Sequence, residues 1–322
     1  MRRLLVPLIA AATLVSTAYV QVYRDEFNGG FSLGWRWILP NNDPFCTLFD
    51  NAVSFGSNSL TITTRDGGMF QQFNSHKNVP TLRVIGPVPQ NWYIETVFRT
   101  NWSTDLVPVF YYTQAGLVIL PSARRYFQVL ITRDAFNQTA TVYGSTNAEG
   151  TPATQNDDEF RWGERVTNNW TPDSNWMGVR IEHVPGETPY IRVQFRNSQT
   201  NGWVDYDGFN GAVYVRDGFG GDLYNHIISL LNTSGVRIGI YTDNACGCGL
   251  QVPFEFDYFE TNIRVPPLGD VNEDGCVNND DLLIVLFNFG TSGDCLEADV
   301  NSDGVVNNDD LLAVLFNFGV GC

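Results

Sequence analysis

Basic residues are scarce in this 322-residue chain: 19 Lys and Arg stand against 35 Asp and Glu, for a formal net charge of −16. Nucleic acid would demand a basic stripe, so the balance argues against that class of partner. The scarcity is complete in the last 54 residues, Gly269 to Cys322, which hold 11 acidic residues and no Lys or Arg. Histidine is rarer still. His76, His183 and His226 stand far apart with no Ser or Cys motif that would build a catalytic triad, and each is read as a structural or surface histidine. Beyond the N-terminus no stretch approaches 18 uninterrupted apolar residues, so no membrane span is expected. Helical periodicity of useful length is missing between about Val20 and Thr261, apart from a short turn near 222–231. That absence argues against the crossover helices of a parallel sheet.

What the acidic tail does contain is a duplication. Residues 270–281 read DVNEDGCVNNDD and residues 299–310 read DVNSDGVVNNDD, 29 positions apart. Each supplies an oxygen-bearing side chain at positions 1, 3, 5, 9 and 12: Asp270, Asn272, Asp274, Asn278 and Asp281, then Asp299, Asn301, Asp303, Asn307 and Asp310. A hard divalent cation needs such an oxygen cage, with position 7 (Cys276, Val305) giving a backbone carbonyl and a glycine (Gly275, Gly304) making the sharp turn at position 6. Two bound calcium ions are therefore expected, and they would offset carboxylates that otherwise repel one another. The repeat extends beyond the ligands: VNNDDLLIVLFNFG (277–290) and VNNDDLLAVLFNFG (306–319) differ only at Ile284 and Ala313. Each loop runs into an apolar helix, Leu282–Phe289 or Leu311–Phe318, too apolar all round for a single buried stripe.

The N-terminus, MRRLLVPLIAAATLVSTAYVQ, has two arginines, an apolar run from Leu4 to Val15, and small residues at Ser16 and Ala18. It reads as a secretory signal over 1–18, which implies a secreted, extracellular or cell-surface protein. Six cysteines in an exported chain are expected to be largely paired. Cys46, Cys246 and Cys248 precede the tail and Cys276, Cys295 and Cys322 lie in it. The economical pairings join Cys46 to Cys246 or Cys248, and Cys322 to one of the other tail cysteines. A zinc site at Cys246 and Cys248 has neither the usual C-x₂-C spacing nor a histidine pair.

Residues 19–261 are long enough for one large β domain. Runs rich in β-branched and aromatic residues recur between Gly, Asn and Asp turns: SLTITT (59–64), WYIETVFRT (92–100), AGLVIL (115–120), YFQVLIT (126–132), ATVYG (140–144), WMGVRIEHV (176–184), YIRVQFRN (190–197), WVDYDGF (203–209), VRIGIYT (236–242) and FEFDYFE (254–260). Many short strands without crossover helices predict an antiparallel sandwich. The Pro pair in 262–268 marks a linker to the tail at 269–322. Eight Trp, 13 Tyr and 22 Phe are available for stacking on sugar rings; the candidates near turns are Trp92, Tyr111, Tyr112, Trp162, Trp170 and Trp203. Core packing is the competing role for each.

On its loop pattern, the tail resembles a dockerin, the duplicated loop–helix module that docks enzymes and surface proteins onto cohesin domains. Unlike an ordinary EF-hand, it has Asp at position 12 and no helix before either loop. The resemblance implies a cohesin-like partner that recognises positions 10 and 11, Asn279 and Asp280 or their copies Asn308 and Asp309, in either of two orientations. Self-association through the tail is the other reading of its apolar helices, and docking of that face on the chain's own β domain is a third.

YRDEFNGG (23–30), with Trp35 and Trp37 behind it, QAGLVIL (114–120) and the closing FEFDYFE resemble the concanavalin A-like jelly roll, closest in flavour to the accessory domain of family forty-three β-xylosidases. The resemblance implies that the first and last strands lie together around a third calcium ion, held by Glu26 (or Asp25), a carbonyl near Gly29, and Asp257. Against this stands a plain solvent-facing role for Asp257. The E-x-D-x-x-E strand motif of the related family sixteen glucanases is missing, and Glu95, Glu182, Asp205, Glu255 and Asp257 are scattered. The chain is thus read as a secreted calcium-binding modular protein that binds polysaccharide without cutting it. The alternatives are a glycoside hydrolase with an unrecognised active site and a self-assembling structural surface protein.

Overall fold

The computed structural model describes residues 21–38, 52–65, 78–100, 113–122, 125–133, 138–146, 176–196, 199, 202–205, 223–244, 251–293 and 296–322. Two antiparallel sheets face each other. The first contains β1 (Tyr23–Asp25), β3 (Val53–Phe55), β4 (Leu60–Thr63), β6 (Tyr93–Thr100), β10 (Trp176–Val184), β11 (Tyr190–Arg196), β12 (Val204–Asp205) and β14 (Pro253–Thr261). Its order is β12-β11-β10-β6-β14-β4-β3, with β1 also paired to β14, so the two ends of the domain meet. The second contains β2 (Arg36–Ile38), β5 (Val79–Arg83), β7 (Thr113–Ser122), β8 (Arg125–Arg133), β9 (Gln138–Thr146) and β13 (Arg237–Asn244), in the order β2-β5-β13-β7-β8-β9. All ten runs expected as strands contribute to these sheets. The turn near 222–231 is instead a nine-residue helix, α1 (Leu223–Leu231), that buries Ile227 and Leu230 in the core.

Alternation explains the sandwich. Ile94 and Phe98 of β6, Met177, Val179 and Ile181 of β10, and Phe254, Phe256 and Phe259 of β14 point inward from one sheet, against Ala115, Leu117 and Ile119 of β7 and Ile238 and Ile240 of β13. A bulge between Phe256 and Tyr258 shifts the phase of β14, which keeps Phe259 on the core side. Asp25 fixes the opening turn. It is buried, and its carboxylate accepts hydrogen bonds from the backbone N–H of Phe27, Ser32 and Leu33 and from the Trp35 indole, at 2.8–3.2 Å.

The connector at 262–268 is not a free tether. Ile263 and Val265 belong to the sandwich core, the Gly34 N–H donates to the Pro266 carbonyl, and Leu33 bridges to Pro267. A Cβ at Gly34 would lie 2.8 Å from the Pro266 side chain, so only glycine permits this approach. Proline supplies apolar contact here rather than spacing, which composition alone could not distinguish.

The tail is two loop–helix units, with helices α2 (Asn279–Phe287) and α3 (Asn308–Phe316). Both start three residues earlier than the apolar pattern suggests, because Asn278 with Asp281, and Asn307 with Asp310, form capping boxes. They also end two residues earlier, at C-caps Asn288 and Asn317. Val277 exchanges backbone hydrogen bonds with Gly319 and Val320 after α3, while Val306 does the same with Gly290 and Thr291 after α2. Each loop therefore pairs with the end of the other unit. Val271, Val277, Val285, Val300, Val306 and Val314 fill a small separate core, and a Cys276–Cys322 disulfide closes it, as the economical tail pairing required.

Candidate functional site

The duplicated loops fold nearly identically. Asp270 accepts from the N–H of Asp274 and Gly275 (3.1 and 2.7 Å), and Asp299 from Asp303 and Gly304 (3.1 and 2.8 Å). At position 12, Asp281 accepts from Val271, Asn272 and Asn278, and Asp310 from Val300, Asn301 and Asn307. Positions 4 and 6 of both loops are left-handed: Glu273 and Ser302 with φ of 55° and 62°, Gly275 and Gly304 with φ of 95° and 86°. These two kinks wrap the chain around its own carboxylates.

Asp270, Asp281, Asp299 and Asp310 are buried in these loops. Burial, with Asp281 and Asp274 nearby, pushes the Asp270 carboxyl up to about 6; burial and the neighbours Asp310 and Asp303 raise Asp299 in the same way. Among the described residues no three His, Cys, Asp or Glu side chains converge as a ready metal cage. The donors fit a hard cation only as a mixed set, in which Asn272 and Asn278 (Asn301 and Asn307) and the carbonyl of Cys276 (Val305) complete the carboxylates. The oxygen-only chemistry, the inward carboxylates and the absence of a basic residue in the tail are what such an ion requires.

The helices begin within these loops and carry the exposed side of the tail. Asn279, Asp280, Asn308 and Asp309 are exposed, and so are two matching apolar rows: Leu283, Leu286, Phe287 and Phe289 on one unit, Leu312, Leu315, Phe316 and Phe318 on the other. Phe287 is 83% exposed and Phe316 81%, so neither of these two rings packs on the described residues of the β-sandwich. The sandwich contacts the loops instead.

The sites expected on the sandwich are differently placed. Trp92 is 2% exposed and stacks on His183, so its ring has no face open to a sugar. Trp203 is half-buried, with the Arg196 guanidinium 4.2 Å over its ring and the ring edge against Gly178. Tyr111, Tyr112, Trp162 and Trp170 lie outside the described residues. The side chains named for the implied third calcium ion make the following contacts. Asp25 accepts from its four donors, Glu26 pairs with Arg24, and Asp257 accepts from Gln199. Glu95 and Glu182 are likewise engaged by Arg180 and Arg192, and Glu255 by Arg99. On the outer face of the larger sheet, arginines cap the aromatics: Arg24 over Tyr258, Arg180 over Tyr93, Arg99 over Trp176. His183 meets Tyr224, and His226 the Tyr126 carbonyl.

Sequence reasoning missed the outer face of the six-stranded sheet. There Asp243, 2% exposed, stands opposite Gln114 and accepts from the Tyr241 hydroxyl at 2.7 Å, while its Oδ1 has no hydrogen bond. Burial pushes its carboxyl up to about 7, only partly countered by Tyr241 and Gln114. The polar residue at the end of the VRIGIYTDN alternation was the available signal.

No family model and no curated protein matches the chain. Among solved structures it is similar in shape to the GH43 protein BlXynB from Bacillus licheniformis (TM-score 0.45, 14% identity, 73% of this chain and 38% of that one). It is also similar to a xylan beta-1,4-xylosidase from Bacillus halodurans C-125 (0.44, 13%, 74% and 38%), and to the Emp47p carbohydrate recognition domain (0.44, 13%, 75% and 94%). The chain thus spans well under half the length of the two bacterial proteins.

Proposed function

We propose that this is a secreted, calcium-binding modular protein in which the β-sandwich binds polysaccharide or surface glycan and the dockerin-like tail attaches it to a cohesin-like domain. The observation that carries the docking half is the pair of matching, outward-facing apolar rows around Phe287 and Phe316. Contiguous apolar surface of this kind marks an interaction site. Its flanking Asp280 and Asp309, in a tail with no basic residue, favour a partner with a basic rim over a second copy of the same acidic surface. Calcium in the loops would hold the two helices in place. The glycan half rests on the aromatic content and on the sandwich architecture, with Tyr111, Tyr112, Trp162 and Trp170 as the remaining candidates.

The test is titration of the full chain against a panel of cohesin domains, in calcium and in chelator. Binding is expected in calcium alone. Phe287→Ser or Phe316→Ser should each weaken it only about twofold, since either row would serve, and the double variant should abolish it. A chain that binds no cohesin and stays monomeric in calcium overturns the docking reading; one that oligomerises in calcium supports self-association. For the sandwich, retention on immobilised xylan or β-glucan without release of reducing ends is expected, whereas release abolished by changing one carboxylate would establish the hydrolase alternative.

A further inference from the structure

The surface where the tail meets the sandwich is built from buried arginines and the backbone of both loops. Arg237 of β13 and Glu273, position 4 of the first loop, are 4% and 2% exposed and form a two-pronged ion pair at 2.9 and 2.7 Å. The Arg237 Nε also donates to the Thr81 hydroxyl on β5, at 2.8 Å. Arg36 of β2, itself buried, donates to the Asp299 carbonyl (3.2 Å) and the Val271 carbonyl (3.4 Å), so one guanidinium spans the two loops. Arg264 donates to the carbonyls of Gly275 and Gly321.

These contacts fall on the ligand frame itself. The Val271 peptide is held from one side by Arg36 on its carbonyl and from the other by the Asp281 carboxylate on its N–H. Asp299, at position 1 of the second loop, receives Arg36 on its carbonyl while its carboxylate gathers Asp303 and Gly304. Glu273 stands between Asn272 and Asp274, positions 3 and 5. Removing only the charge of Glu273 would leave Arg237, 4% exposed, without its ion-pair partner, and an unpaired buried charge is strongly unfavourable.

We infer that the arginines of the six-stranded sheet are positioning residues for both loops, so that calcium occupancy and seating of the tail on the sandwich stabilise each other. This rests on the calcium reading of the loops. By linkage, whatever strengthens one equilibrium strengthens the other by the same factor.

Two measurements on the full chain test it. In the wild type, calcium should slow amide exchange in β2, β5 and β13, strands that hold no proposed ligand. In Glu273→Gln, which removes the charge but no proposed ligand, calcium affinity by titration calorimetry should fall on the order of tenfold. If calcium binds, exchange in those strands is unchanged, and the variant binds as the wild type does, the coupling is wrong. If the chain binds no calcium at all, the calcium reading fails first and the coupling with it. Should the variant not fold, the exchange measurement alone decides.

Discussion

Ionising Asp243 should cost the sandwich a large part of its stability as pH rises. The group is fully enclosed on the outer face of the six-stranded sheet, and burial lifts its carboxyl from 3.8 to about 7. In the unfolded chain it ionises at the ordinary value, so between the two values the folded state holds a proton that the unfolded state has lost. Stability is complete below the unfolded pKa, falls as pH rises, and levels off above about 7. At 1.36 kcal/mol per pH unit, the two units from pH 5 to 7 correspond to about 3 kcal/mol. For a domain of this size that is roughly 5–10 °C in melting temperature. Asp243→Asn keeps an oxygen that accepts from the Tyr241 hydroxyl but cannot ionise. Urea unfolding of both proteins in saturating calcium at pH 5, 6, 7 and 8 should show a falling midpoint for the wild type and a much flatter one for the variant. Equal slopes, or a wild type more stable at pH 8 than at pH 5, would refute the argument.

Asp25→Ala would strand three backbone N–H groups and the Trp35 indole in the core. A loss of at least about 3 kcal/mol is expected by denaturant unfolding, since each unsatisfied buried donor costs about 1–3 kcal/mol. The Cys276–Cys322 disulfide closes 46 residues, and opening it with paired serines should cost about 4 kcal/mol of tail stability by loop-closure entropy, read as an earlier loss of tail protection in hydrogen exchange. Asp281→Ala or Asp310→Ala should each lower the calcium stoichiometry from two ions to one by calorimetry. Two ions retained in either variant would remove position 12 from the proposed ligand set.

Local pattern determined what could be read in advance. The long strands β6, β10 and β14 were visible because one face alternates with the other, and the duplicated loops because both copies carry the same oxygen donors. The three-residue strands β2 and β3 were not, since three residues carry no period and pairing with longer neighbours defines them; β1 was expected only through the resemblance that sets the first strand beside the last. Asp25 illustrates a different limit. In sequence it is one acid beside Glu26, and only the return of Ser32, Leu33 and Trp35 reveals a buried turn anchor. Trp92 and Trp203 look alike as aromatics near turns, yet one is sealed in the core and the other is capped by Arg196. Nothing local in the sequence marks Glu273 as a buried ion-pair partner, because Arg237 is 36 residues away.

The buried connector also governs orientation. A module on a slack tether would let the sandwich swing, and docking through the Phe287 row or the Phe316 row would then make no difference to where the sandwich faces. With Ile263 and Val265 in the sandwich core and Gly34 locked against Pro266, the tail behaves as a bracket rather than a leash. Exchanging one row for the other on a fixed partner would turn the whole sandwich about the internal two-fold of the tail, presenting a different side of its sheets to the surroundings.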